Sequence, residues 1–158
     1  MASSASADCG PNAVGGATLK SLSQSLSDLL QGGEGRRRQA LADASMAAAA
    51  LVATARGDVS FAERALIDQA VDALAARGVA PPHAAVAAFD AFVDAIRANS
   101  SQGRRPALEA VSAFGGAADA AAVVLKIAEA VAAADGSPSA EEITVVREIG
   151  DALAAAAR

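Results

Sequence analysis

Val131-Ala-Ala-Ala-Asp135-Gly136-Ser-Pro-Ser139-Ala-Glu-Glu142 is the stretch on which the fold turns. An alanine-rich apolar run stops at a glycine. Just beyond it, Ser139 and Glu142 stand in the Ser-x-x-Glu spacing of a capping box, in which each side chain takes the free backbone N–H of the other residue. The stretch therefore reads as helix, tight loop, helix. The same unit occurs earlier, as Leu51-Val-Ala-Thr-Ala-Arg56-Gly57-Asp58-Val-Ser60-Phe-Ala-Glu63. A shift of 79 residues puts Gly57 on Gly136, Ser60 on Ser139, Glu63 on Glu142, and Asp72-Ala-Leu74 on Asp151-Ala-Leu153. Two copies at one spacing predict an internally duplicated helical hairpin inside an all-α fold. A solenoid needs at least three stacked units, and a different helix pair separates these two.

Outward from the loops, the helical period continues. Arg36 to Arg56 carries Leu41, Ala44, Ala48, Leu51, Val52 and Ala55 on one face. After Ser60 the buried stripe is Leu66, Ile67, Ala70, Val71 and Leu74, with Asp68 and Asp72 pointing away. Pro81-Pro82 opens a helix to Ala98 that buries Val86, Phe89, Val93 and Ile96. Asn99 to Gly103 reads as a loop, and Pro106 as the first turn of a short helix carrying Leu108, Val111 and Phe114. A helix from Ala117 to Ala134 leads into the second loop, and the last helix buries Ile143, Val146, Ile149 and Leu153. Ahead of all this, Thr18 to Leu30 places leucines at helical spacing, and residues 1–17 are small and polar. The expected organisation is a flexible tail, 1–17, and one compact domain, 18–158, of about seven helices.

Composition narrows the function. Hydrophobic residues make up 53% of the 158, but the excess is alanine, and there is no Trp or Tyr. Alanine has the best helix propensity, so helices that approach closely through small residues are expected. The net charge of −5 argues against a nucleic-acid binder, which needs a basic face. No apolar run reaches the roughly 18 residues of a transmembrane helix. The first residues lack a signal's basic and apolar regions, and the lone Cys9 suits a reducing compartment, so a cytoplasmic location is expected. His83 is the single histidine, with no nucleophile placed around it by the sequence, and no enzyme activity is expected.

The loops hold the remaining chemistry. The second offers Asp135, Glu141, Glu142 and the Ser137 and Ser139 hydroxyls; the first offers Asp58, Ser60 and Glu63. A hard cation such as Ca²⁺ wants about six to eight oxygens. If the two loops meet, the pooled acids are candidates for one divalent ion. Capping alone also explains both Ser/Glu pairs without a metal.

The segment Leu125-Lys-Ile-Ala-Glu-Ala-Val131-Ala-Ala-Ala-Asp135-Gly136, followed by Ser139-x-x-Glu142 and Val146-Arg-Glu-Ile149, resembles the second repeat of the tellurite-resistance TerB family. Ala48 to Leu74 looks like that family's first copy, and the resemblance spans about Leu19 to Ala156. It implies a cytosolic, non-enzymatic helical domain serving tellurium resistance and chemical stress, at the inner membrane when partnered. The implied partners are a TerC-like membrane protein and TerD-like calcium-binding proteins. It also implies metal binding by loop acids, here Asp135, Glu142, Glu141, Asp58 and Glu63. One position departs: where the family has an acid before the first loop glycine, this chain has Arg56. Arg56 is expected to offset the charge of nearby Asp58, since unit charges 4 Å apart interact by about 4 kcal/mol at an effective dielectric of 20. The alternative function is a structural adaptor without metal, whose segment Leu19 to Leu30 docks a partner or a membrane surface.

Overall fold

The computed structural model describes Leu22, Gln24 and residues 35–158. Among the described residues the chain is all-helical and has no strand: α1 Gly35–Ala53, α2 Phe61–Ala76, α3 Pro82–Ala98, α4 Ser100–Ser112, α5 Ala118–Ala132 and α6 Ala140–Ala156. The expected tail, 1–17, lies outside the described residues, as does the helix expected over 18–30 apart from Leu22 and Gln24. Those two residues are helical, and Leu22 is buried in the chain's own core.

The core is built around α1. The sequence predicts one apolar face for it, but every residue from Ala44 to Ala53 is buried. α3, α4 and α5 all pack on α1, and α2 and α6 also touch it. Alanines give this stretch a narrow cross-section, so neighbours close over every side of it, while Arg37 and Gln39 nearer the start of α1 stay exposed. A helical stretch that is apolar nearly all round belongs in such a central position. α5 meets α1, α2 and α6. The two middle helices, α3 and α4, pack on each other and on α1.

Two helix assignments differ from the sequence reading. Asn99 to Gly103 is not a loop: Asn99 caps α4, its side-chain oxygen accepting the Gln102 N–H at 3.1 Å. Pro106 consequently lies inside α4 rather than in its first turn. Helix starts there because Gly103 allows contact with α3; a Cβ on Gly103 would sit 2.2 Å from the Ala95 carbonyl oxygen. The buried stripe of α6 also rotates. Glu142 turns inward for its capping box, so the buried face runs Glu142, Val145, Ile149 and Leu153. Ile143, expected in the core, is 47% exposed. Val86 and Val146, also expected there, are half-buried.

Candidate functional site: the junction of the two loops

α1 ends at Ala53, short of Arg56, so Arg56 belongs to the first loop. The two loops follow the same backbone path bond for bond. Gly57 and Gly136 adopt φ of +113° and +110°, a region that L side chains rarely adopt. The Gly57 N–H reaches the Thr54 carbonyl at 3.1 Å, and the Gly136 N–H reaches Ala133 at 3.0 Å. Both capping boxes form as the spacing predicts. The Ser60 N–H donates to Glu63 Oε2 at 2.6 Å, and the Ser139 N–H donates to Glu142 Oε2 at 2.6 Å. In return Ser60 Oγ accepts the Glu63 N–H at 3.1 Å, and Ser139 Oγ accepts the Glu142 N–H at 3.2 Å. Losing either cap serine would cost about 0.5–2 kcal/mol.

The loops meet. Arg56 Nη2 donates to Asp135 Oδ2 at 2.9 Å, and Arg56 Nε lies 3.4 Å from Glu142 Oε1. The Ser60 hydroxyl donates to Asp135 Oδ2 at 3.0 Å, so it serves its own cap and the opposite loop together. The Glu63 and Glu142 carboxyl groups are neighbours across the junction. Both are almost fully buried, at 1% and 2% exposure. Burial is the main force holding the Glu63 carboxyl above its ordinary pKa; the neighbouring Glu142 carboxyl and the charge of Asp135 push the same way, against the bonds from Ser60.

Of the acids singled out from the sequence, Asp135, Glu142 and Glu63 come together here. Asp58 does not join them. Its fully exposed carboxylate pairs with Arg97 of α3 at 3.3 Å. Glu141 is exposed on the first turn of α6. Arg56 forms no ion pair with Asp58 but reaches across to the second loop, because Asp135 and the buried Glu142 lie within its span. Arg56 and Asp135 are equivalent positions of the two loops, with opposite charge, but the sequence does not show that the loops meet. Among the described residues no group of three or more His, Cys, Asp or Glu is arranged to hold a metal ion.

Away from the junction, His83 is exposed on the first turn of α3. A polar cleft between α2 and α3 is lined by Arg64, Asp90 and Arg97. Arg64 is engaged there, paired with Asp90 at 3.1 Å and stacked 5.2 Å from the Phe89 ring centre. Arg104 of α4 pairs with Glu148 of α6. Compared with known proteins, the chain matches no family model, no curated protein and no solved structure.

Proposed function

We propose that this chain is a TerB-like, non-enzymatic binding module of the tellurium and chemical-stress response, with the duplicated loops forming its partner-facing end. The observation that carries the reading is the position of its exposed apolar side chains. Among the described residues the exposed large hydrophobics are Phe61, at 90%, and Ile143, at 47%. Each adjoins a member of the junction, Phe61 next to Ser60 and Ile143 next to Glu142. Single exposed apolar residues are ordinary; two that flank one preformed polar junction favour a contact surface there. The chemistry of the junction supports binding over catalysis. Its serine hydroxyl is committed to a cap and to Asp135, and His83 belongs to another element.

The resemblance supplies the partners, a TerC-like membrane protein and TerD-like proteins, and with them a place in the cytoplasm against the inner membrane. A role for the 19–30 segment as an external docking arm is less favoured, because Leu22 is buried in the chain's own core. The test uses cells lacking the chain, challenged with tellurite and complemented with wild type or Phe61→Ser. Phe61 is exposed, so the variant should fold normally, yet it should complement poorly and bind a purified TerC-like partner more weakly. If deletion leaves tellurite and stress tolerance unchanged, or if Phe61→Ser binds and complements like wild type, the reading fails.

A further inference from the structure

Glu63 and Glu142 are taken almost wholly out of water, with Asp135 beside them. Buried negative charge persists only when it is protonated or paired. A divalent ion held by about six to eight oxygens would be one way to pair it. The chain carries another. The Arg56 guanidinium spans the acids of the opposite loop, 2.9 Å from Asp135 and 3.4 Å from Glu142. It presents only N–H donors and has no lone pair to give a metal. Much of the remaining oxygen capacity is in use: Asp135 takes the Ser60 hydroxyl, and Glu63 and Glu142 take the N–H groups of their own cap serines. The side chains as placed do not fit the divalent ion that the TerB resemblance implies.

We infer that Arg56 is the resident cation of the loop junction: it stands in for a divalent ion and makes the coupling of the two loops independent of metal supply. The physical reason lies in the repeat. With an acid at both equivalent positions, 56 and 135, the junction would gather four carboxyl groups and no internal positive charge, and would need an ion from solution. With arginine at one and aspartate at the other, like-charge repulsion becomes a bridge between the loops. The inference holds whichever partner the module binds.

The test compares thermal melting of wild type, Arg56→Gln and Arg56→Asp at neutral pH, in EDTA and then with millimolar Ca²⁺, Mg²⁺, Mn²⁺ or Zn²⁺ alone. Wild type should melt at one temperature throughout. Arg56→Gln should melt several degrees lower in EDTA, because it leaves Glu142 and Asp135 without their cation. Arg56→Asp should be the least stable form in EDTA and should regain stability, saturably, with at least one of the ions. A saturable rise for wild type with any ion overturns the inference. So does Arg56→Gln melting with wild type in EDTA, or Arg56→Asp indifferent to every ion. If Arg56→Asp does not fold, the other two forms still decide. Melting does not report partner binding, so this result and the outcome at Phe61 are read separately.

Discussion

Glu63 is a carboxyl group that folding makes harder to ionise. Burial raises its pKa above the ordinary 4.5, and the sign of the consequence follows from linkage. Between 4.5 and the higher folded value, the native state holds a proton that the unfolded chain has released. The stabilisation from this group is therefore complete below 4.5 and is lost as the pH rises through the folded pKa. Asp135 and Glu142, both paired with Arg56, also face this group, so the informative quantity is the difference between wild type and Glu63→Gln. The glutamine mimics the protonated carboxyl and removes its titration. Measured by urea midpoints, wild type should lose stability relative to Glu63→Gln as the pH is raised from mildly acid to neutral. Parallel midpoints for the two proteins across that range would show that Glu63 ionises normally.

At the scale of helices, Gly103 sets the distance between α3 and α4. Two effects compete in Gly103→Ala. Alanine is favoured over glycine in a helix by about 1 kcal/mol. Against that, its Cβ would fall 2.2 Å from the Ala95 carbonyl oxygen and 2.4 Å from the Ile96 nitrogen, which are backbone atoms that can yield only by moving a helix. Overpacking of this kind costs about 1–3 kcal/mol or more. The clash should win, and the denaturant midpoint should fall; a higher midpoint would mean that the helices separate freely. The same element shows how a correct rule can misplace a boundary. Proline is favoured in a first turn, and Pro106 suggests one. Yet Asn99, six residues after Val93 on the chain's path out of α3, already supplies the cap. Pro106 then costs α4 the N–H that would have met the Gln102 carbonyl.

For the whole molecule, the core reaches back to Leu22, 1% exposed and in contact with the residues around α1. The sequence places a removable tail only at 1–17; removing residues 1–31 also takes Leu22. With Leu22 in the core, that truncation should destabilise the protein. Leu22→Ala alone should cost about 2–5 kcal/mol, the usual range for a buried leucine. Equilibrium unfolding of the full chain measures this directly. A midpoint unchanged by Leu22→Ala would show that this side chain does not stay buried in solution. The layout around α1 also limits the likeness of the two halves: α1 carries both middle helices, whereas α5 meets α1, α2 and α6. The loops match closely while the helices leading into them are buried to different extents.

What the sequence determined by itself is what acts over a few residues. Ser60 with Glu63 and Ser139 with Glu142 are three apart, so each capping box is closed by its own turn and could be read without the rest of the chain. The glycines that stop the preceding helices, the helical class and the acids of the loops were legible for the same reason. The partners of those acids were not. Arg56 and Asp135 are 79 residues apart, and nothing local distinguishes an arginine facing Asp58 from one facing the other loop. Only the packing of α2 and α6 around α1 and α5 brings the loops together. That packing also removes Glu63 and Glu142 from water, turns Ile143 outward and closes over residues 44–53 of α1. Burial and charge pairing depend on distance in space, and the tertiary structure alone decides which distant residues become neighbours.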